Sequence, residues 1–255
     1  MIVTWKTNVR PLTGHQKRKV YVYMPDEAEE HPEYRYPVLY MFDGHNVFFD
    51  SDATYGKSWG MKEYLEATGT PLIVAAVECD HNPPHGRLDE YSPFDFSDST
   101  FGDVTGKGDI FMKWLTGTFK PRIDKRFPTL RGREDTFLAG SSMGGLMTLY
   151  GLMAYNHVFS RGAALSPSVW LVREHVPQMI ADAHIAPDTV IYMDYGEREM
   201  RSHKGMQRCF KRTCGALMDK GVLLTSRIVP GGEHCEACWE KQIPFFMNTL
   251  LYERA

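Results

Sequence analysis

Apolar residues follow two repeating patterns that alternate along most of the chain. Short continuous apolar runs, typical of strands covered on both faces, lie at 37–42, 72–77 and 136–139, and further short strands are predicted at 162–165, 190–193 and 226–229. Between these runs, apolar residues recur every three or four positions, as an amphipathic helix requires. The helical segments lie at 61–68, 111–123, 146–153, 176–180, 206–217 and 239–250. The alternation predicts an α/β fold whose sheet is mostly parallel, with helices on both faces.

The first 36 residues and one later segment differ from this pattern. Segments 4–9 and 17–24 alternate polar and apolar side chains, which predicts two strands joined by a turn at 11–14. We expect this antiparallel pair at one edge of the sheet. The charged segment 25–36 and the long segment 79–108, rich in Pro, Gly, Asp and Ser, are predicted to be loops. Because so long a loop is unusual in a compact domain, the second is predicted to be functional or mobile.

The composition is that of one globular domain spanning residues 1–255. Hydrophobic residues make up 43% of the chain and the net charge is −3, so nothing favours a nucleic-acid partner. The N-terminus lacks the pattern of a signal peptide, and no apolar run is long enough to cross a bilayer, so no membrane partner is expected. The five cysteines are an odd number, which argues against a disulfide framework and favours a cytoplasmic location.

One stretch has the pattern of a catalytic nucleophile: Ala-Gly-Ser-Ser-Met-Gly-Gly at 139–145. Ser142 lies between a predicted strand and a predicted helix, with Gly140 and Gly144 two residues to either side. This is the context of a nucleophile elbow, a sharp turn that exposes the serine hydroxyl at the carboxyl edge of the sheet. The amide of Met143, at the start of the helix, would then face an oxyanion. Alone, the motif leaves open that Ser142 only caps the helix.

A serine nucleophile needs a general base, and the base needs an acid that orients it. Among ten histidines, His234 follows a strand and the glycine-rich turn 230–233. It also fits the chain order of α/β-hydrolases, in which the serine is followed by the acid and then the histidine. The acid is expected after the strand 190–193. Candidates there are Asp194, Glu197 and Glu199. Spacing alone does not choose among these carboxylates.

Five segments carry sequence patterns that point to the same family. They are Tyr-Pro-Val-Leu-Tyr-Met-Phe-Asp-Gly-His-Asn at 36–46, the serine turn at 139–145, the segment 159–170 ending in Leu-Ser-Pro-Ser-Val-Trp, Gly-Glu-Arg-Glu at 196–199 and Gly-Gly-Glu-His at 231–234. Together they resemble the "Putative esterase" family, which includes feruloyl and acetylxylan esterases, enterochelin esterases and mycolyltransferases. The resemblance implies an α/β-hydrolase fold and a serine esterase that needs neither a cofactor nor a metal.

The resemblance also implies roles for individual residues of the catalytic triad. It places the nucleophile at Ser142, the base at His234 and the acid at Glu199. Glu197 stands where the family usually has Thr or Ser, which leaves a choice between the two glutamates.

The oxyanion is expected to lie against two backbone amides. From the residues alone, the second donor is the amide of Gly44 or of His45, in the loop after the strand 37–42. The resemblance implies His45, acting together with Met143.

The same resemblance implies the residues that contact the substrate. Asp43 and Gly44 would line the pocket beside the acyl or sugar group. Arg87 belongs to an Arg-x-x-Glu-Tyr-x-Pro segment that we interpret as a pocket wall, with an Arg87–Glu90 ion pair as the structural alternative. Trp170 would stack on a sugar or an aromatic acyl group.

Three functions remain open at this stage. The first is a carboxylesterase that removes acetyl or feruloyl-type groups from a small-molecule or oligosaccharide ester. The second is a siderophore esterase or acyltransferase at the same site, and the third is a non-catalytic binding protein.

Cys235 and Cys238 form a Cys-x-x-Cys motif that we predict to be two unpaired thiols, because a zinc site needs further ligands at suitable spacing. The sequence does not set the oligomeric state.

Overall fold

The computed structural model describes residues 1–202 and 205–252. The strands are β1 (Ile2–Asn8), β2 (Lys17–Tyr23), β3 (Val38–Met41), β4 (Ile73–Val77), β5 (Phe96–Asp98), β6 (Gly102–Val104), β7 (Thr136–Ser141), β8 (Arg161–Leu165), β9 (Val190–Gly196) and β10 (Leu223–Val229). The α-helices are α1 (Arg10–Thr13), α2 (Glu27–Glu30), α3 (Met61–Thr68), α4 (Gly86–Glu90), α5 (Gly108–Trp114), α6 (Lys120–Arg126), α7 (Met143–Ala154), α8 (Val176–Asp182), α9 (Glu197–Ser202), α10 (Met206–Asp219), α11 (Glu236–Glu240) and α12 (Ile243–Leu251). Turns of 3-10 helix lie at Gly44–Asn46 and Arg133–Asp135, and a π-helical turn, Leu115–Phe119, joins α5 to α6.

Eight of these strands form one sheet in the order β1-β2-β4-β3-β7-β8-β9-β10, and β5 and β6 form a separate hairpin. The pairs β1–β2 and β2–β4 are antiparallel, and the remaining neighbours in the large sheet are parallel. Parallel neighbours need a crossover connection, which α7, α8 and α10 provide between β7 and β10. The predicted α/β fold, with an antiparallel N-terminal pair at the sheet edge, is confirmed.

Helices cover the sheet on both faces, which explains why its inner strands read as continuous apolar runs. In β3, Val38 and Tyr40 belong to one apolar cluster, which also contains buried side chains of α5, α7 and α10. Leu39 and Met41 belong to a second cluster, with side chains of α3 and α12. Within the described part of the chain, no helix is long and apolar enough to span a membrane.

The segment 79–108 was predicted to be a loop, and this prediction is wrong in part because the segment contains α4 and the β5–β6 hairpin. A tertiary contact holds α4, since the guanidinium of Arg18 on β2 donates to Glu90 at 2.7 Å, with both side chains almost fully buried. The short helices α1 and α2 likewise lie where a turn at 11–14 and a loop at 25–36 were predicted. Helices of four or five residues depend on such tertiary contacts and leave no apolar repeat in the sequence.

The parallel strands end at one edge of the sheet, which we call the rim. Backbone hydrogen bonds of 2.9–3.0 Å join the segments that follow neighbouring strands. The N–H group of the first residue donates to the carbonyl of the second in the pairs Phe42 to Ala139, Ser142 to Leu165, Ser166 to Asp194 and Arg198 to Gly232. The residues after β3, β7, β8, β9 and β10 therefore form one continuous surface, where ligands of open α/β sheets bind.

Candidate active site

Ser142 occupies the sharp turn between β7 and α7, with φ 58° and ψ −120°. A positive φ is unfavourable for a residue that has a Cβ, so the surroundings must hold the turn in place. Its glycines permit the tight path, because a Cβ on Gly140 would lie 2.7 Å from the carbonyl carbon of Gly144. Among the described residues, Ser142 makes no side-chain cap to α7. The elbow geometry predicted from the sequence is present.

The loop after β8 holds this turn from one side. The amide of Ser142 donates to the carbonyl of Leu165 at 2.9 Å, and the amide of Ser168 donates to the carbonyl of Ser142 at 3.0 Å. The two hydroxyls of Ser142 and Ser168 lie 3.3 Å apart. Sequence reasoning gave Ser168 no role, although it lies in the Ser-Pro-Ser-Val-Trp segment that carried part of the family resemblance.

Glu199 and His234 form a direct pair at the rim. The Nδ1 atom of His234 lies 2.7 Å from Oε2 of Glu199. The carboxylate is nearly inaccessible, with 3% of the side chain exposed, whereas 44% of the imidazole side chain is exposed. A carboxylate accepts hydrogen bonds, so Nδ1 carries the proton and the imidazole presents its other nitrogen.

A second set of bonds fixes the other carboxylate oxygen of Glu199. The Ser166 hydroxyl donates to Oε1 at 2.7 Å, and the amide of Gly196 donates to the same atom at 2.9 Å. Trp239 donates its indole N–H to the Ser166 hydroxyl at 3.2 Å, and its ring meets the His234 ring edge-on at 5.0 Å. Trp239 is buried, as expected for an apolar residue of the predicted helix at 239–250. Its polar contact was not foreseen.

The other two candidate acids make different contacts. Asp194 is buried and accepts a hydrogen bond from the Tyr192 hydroxyl at 2.7 Å. Glu197 accepts a bond from the amide of Gly231 at 2.9 Å and pairs with Arg201. Among the described residues, Glu199 is the carboxylate that contacts His234.

The loop after β8 connects Ser142 to the Glu199–His234 pair. This loop contacts Ser142 through Ser168 and reaches Glu199, the partner of His234, through Ser166. In the described part of the chain, the Ser142 hydroxyl has Ser168 as its hydrogen-bond partner and does not bond to His234. Catalytic hydrogen bonds are often formed only with substrate present, so this conformation is compatible with a triad.

The loop after β3 brings a second backbone amide to the rim. Asp43 has a left-handed conformation with φ 55° and starts the 3-10 turn that contains Gly44 and His45. A Cβ on Gly44 would lie 2.7 Å from the carbonyl carbon of Val77, so only glycine fits this close approach to β4. The amides of His45 and Met143 both lie in the first turn of a helical segment, where N–H groups have no intrahelical acceptor.

Arg87 contacts Asp43 directly. Its Nε and Nη2 atoms donate to the two carboxylate oxygens at 2.7 Å each. Burial raises the pKa of Asp43, but the opposing effect of the Arg87 charge and hydrogen bonds is larger, so the pKa stays below its ordinary value. The alternative Arg87–Glu90 ion pair is wrong, because Glu90 pairs with Arg18. The two side chains expected to face the substrate are thus engaged with each other.

Trp170 lies two residues after Ser168 and is half-buried. It lines a cavity of about 310 Å³, together with residues of the β5–β6 hairpin such as Phe96 and Asp98. This position is compatible with contact to an aromatic or sugar group, and its role as a substrate residue remains a prediction.

Cys235 and Cys238 are both free thiols at the start of α11, as expected for unpaired cysteines. The amide of Glu233 donates to the sulfur of Cys238 at 3.1 Å. The motif therefore closes the turn that carries His234.

A serine elbow at the carboxyl edge of a mostly parallel sheet, with a buried carboxylate bonded to a histidine on the same rim, is the arrangement of an α/β-hydrolase. The chain belongs to the family described as "Putative esterase", whose model matches residues 13–244. It is accordingly a carboxylic-ester hydrolase.

Three comparisons show how far this similarity extends. The uncharacterized protein YbbA of Bacillus subtilis is 25% identical over 225 residues, which cover 84% of each chain. A siderophore triacetylfusarinine C esterase of Aspergillus fumigatus is 28% identical over 138 residues, 52% of this chain and 44% of that protein. The solved structure of a ferulic acid esterase has a TM-score of 0.68 and 18% identity, covering 98% of this chain and 96% of that one. The last likeness is one of fold.

Proposed function

We propose that the chain hydrolyses its ester with Ser142 as nucleophile, His234 as general base and Glu199 as the acid that orients the histidine. The observation that carries this proposal is the 2.7 Å contact between His234 Nδ1 and Glu199, on the rim that holds the elbow serine. The bond keeps Nδ1 protonated and leaves the lone pair of Nε2 to accept a proton.

The reaction starts when the Ser142 hydroxyl turns from Ser168 toward His234. The hydroxyl oxygen bonds to the ester carbonyl carbon while its proton passes to Nε2, and the carbonyl electrons move to the oxygen. The amides of Met143 and His45 are proposed to hold this oxyanion. Collapse expels the alcohol, which takes the proton back from His234. Water then releases the acyl group by the same steps.

Replacing Ser142 by Ala tests this assignment. We expect kcat/KM for p-nitrophenyl acetate to fall by about 10⁴-fold or more, because the covalent route is lost. Ser51, which is exposed at the surface, offers a matched control, and Ser51→Ala should keep the wild-type rate. Retention of activity by Ser142→Ala would reject the proposed nucleophile.

For the substrate, we propose an acetyl or feruloyl-type ester of a carbohydrate. The cavity beside Trp170, about 310 Å³ in volume, offers an aromatic wall two residues along the chain from Ser168, whose hydroxyl contacts that of Ser142. The fold shared with a ferulic acid esterase agrees with this choice. We also propose a reducing, cytoplasmic location, in keeping with the five free cysteines.

A second candidate function is the hydrolysis of a siderophore ester, whose acyl part is anionic. The same site could instead transfer the acyl group to another alcohol. A cavity of about 490 Å³ is lined by Arg173, Arg208 and Arg212. Val169, the neighbour of Ser168, lines the same cavity. Guanidinium groups suit catecholate or carboxylate groups, and one relative is a siderophore esterase.

A comparison of three substrates separates the candidates. The kcat/KM for acetyl, feruloyl and catecholate esters would be measured with the wild type and with an Arg208→Ala/Arg212→Ala variant. The first candidate predicts the highest kcat/KM for the acetyl or feruloyl ester, unchanged in the variant. A preference for the catecholate ester that the variant loses would establish the second candidate instead.

A further inference from the structure

Two histidines and a cysteine converge next to the proposed oxyanion loop. One ring nitrogen of His45, one of His81 and the sulfur of Cys79 lie within 4.8 Å of one another. His45 belongs to the 3-10 turn after β3, whereas Cys79 and His81 follow β4. Because the three side chains come from two separate loops, no ligand-spacing motif reveals them, and the sequence predicted no metal site.

His45 has a buried ring nitrogen that lacks a partner. The residue is 6% exposed, and its Nε2 atom lies 3.0 Å from the hydroxyl of Thr54. Its Nδ1 atom is buried without a hydrogen-bond partner among the described residues. An unpaired buried polar atom is unfavourable, and a metal ion is one partner that would satisfy it.

The ligand atoms of Cys79 and His81 are almost as close together as two ligands of one zinc ion would be. Cys79 is 2% exposed, and its sulfur lies 3.9 Å from Nδ1 of His81. The rings of His45 and His81 meet edge-on with centroids 4.7 Å apart. Zinc bonds of about 2.0–2.1 Å to nitrogen and 2.3 Å to sulfur place tetrahedral ligand atoms about 3.3–3.6 Å apart. Because His81 is exposed, its side chain can make this small adjustment.

Charged side chains of both signs act on this cluster. Asp43 and Arg87, which pair with each other, both act on Cys79 and His45. Burial and the charge of Asp43 raise the pKa of the Cys79 thiol, and a metal ion would take the place of the thiol proton.

We propose that His45, Cys79 and His81 bind one Zn²⁺ ion, with water from the exposed His81 side as the fourth ligand. One thiolate and two imidazoles form a ligand set that zinc favours. Binding exchanges the Cys79 thiol proton for the metal, and the proton passes to the buffer. The ion would join the loop after β3 to the loop after β4, and would thereby fix the turn that carries the His45 amide.

Binding of Zn²⁺ and Co²⁺ to chelator-treated full-length protein tests this proposal. We expect one equivalent of Zn²⁺ in titration calorimetry, a sulfur-to-cobalt charge-transfer band with Co²⁺, and a rise in Tm of about 5–10 °C at saturating zinc. His81→Ala and Cys79→Ser should each weaken binding by at least about 10-fold. His81→Ala changes an exposed side chain, so it should fold normally and keep the test decisive.

Three further variants isolate the site. His85→Ala alters a histidine of the same segment outside the cluster and should bind zinc like the wild type. Cys235→Ser/Cys238→Ser removes the other thiol pair and should leave one equivalent bound. Ser142→Ala should also bind normally, since the metal site does not depend on ester hydrolysis. Equal affinity in His81→Ala and wild type, or loss of binding only in the Cys235→Ser/Cys238→Ser variant, would overturn the proposal.

Discussion

Unfavourable backbone conformations are concentrated at the rim. Among the described non-glycine residues, a positive φ occurs at Asp43, Ser142 and Ser166, with values of 55°, 58° and 43°. Each lies one or two residues beyond the end of a parallel strand. Such conformations cost on the order of 1–3 kcal/mol each and persist only where surrounding bonds enforce them. Here the Ser142 hydroxyl lies against Ser168, and the Ser166 hydroxyl donates to the proposed acid Glu199.

The acid of the proposed triad can be tested at single-residue resolution. Glu199→Gln keeps the shape of the side chain but removes the charge that stabilises the protonated histidine and selects its tautomer. We expect kcat for p-nitrophenyl acetate to fall by about 10³–10⁴-fold, with folding retained.

Glu197→Gln is the matched control for this measurement. Glu197 contacts the Gly231 amide and Arg201, at the surface, so its variant should keep kcat within about 3-fold, as expected for a weak exposed pair. A larger loss of kcat in Glu197→Gln than in Glu199→Gln would show that Glu197, and not Glu199, is the acid of the triad.

At this scale, the sequence predicted Ser142 and His234 as catalytic candidates but left the acid undecided on spacing. Ser142 is marked by its glycines and His234 by the turn before it, and both are local patterns. Which carboxylate can contact the histidine depends on the direction in which each side chain points. Asp194 points to Tyr192 and Glu199 to Ser166 and His234, which follows from packing and not from spacing.

At the scale of elements, the end of β9 packs tightly against the turn that precedes His234. A Cβ on Gly196 would lie 2.4 Å from the carbonyl oxygen of Gly232 and 2.7 Å from Oε1 of Glu199. The amide of Arg198 also donates to the carbonyl of Gly232. This packing sets the distance between the start of α9, which carries the proposed acid Glu199, and the turn that carries the proposed base His234.

Two glycine substitutions with opposite expected signs test this contact. Gly196→Ala should lower the free energy of unfolding by about 1–3 kcal/mol, because the methyl group meets backbone atoms that cannot move independently. It should also lower kcat, since the His234 turn must shift. Gly215→Ala lies within α10, where a Cβ meets no atom of the described residues within 4 Å, and should stabilise the protein by about 0.5–1 kcal/mol.

Urea denaturation of both variants gives the comparison. Equal stability of Gly196→Ala and wild type would contradict the close packing described between the end of β9 and the turn before His234.

The sequence was a good guide to long elements and a poor one to short elements. Strands β3, β4 and β8 are buried at every position, so they were visible as apolar runs. The helix α4 was missed because the buried contact between Arg18 and Glu90 joins residues 72 positions apart. The His45–Cys79–His81 cluster was missed for the same reason.

At the scale of the whole molecule, a buried acid under the rim links stability to pH. Burial raises the pKa of Asp194 to about 7, and the charge of Glu199 adds to the rise, although hydrogen bonds from Tyr192 and Ser166 oppose it. Because the folded-state pKa is higher than the unfolded-state value, folding favours the protonated acid. This contribution to stability is complete below about pH 4 and is lost as pH rises to about 7.

The Asp194→Asn variant should remove this dependence. An amide cannot ionise and still accepts the hydrogen bond from Tyr192. Relative to the wild type, we expect the variant to gain stability between pH 4 and pH 7, by up to about 4 kcal/mol. Urea midpoints at both pH values give the measurement. If the difference in stability between the wild type and the variant does not change with pH, Asp194 ionises normally in the folded protein.

The central claim is that the rim of this sheet holds one activated serine, and covalent labelling tests it most directly. Intact-mass spectrometry after treatment with a fluorophosphonate probe should show one adduct per chain, located at Ser142 by peptide mapping. Ser142→Ala should show none, and His234→Ala should react far more slowly. Labelling of a different residue, or equal labelling rates in His234→Ala and wild type, would contradict the proposed site.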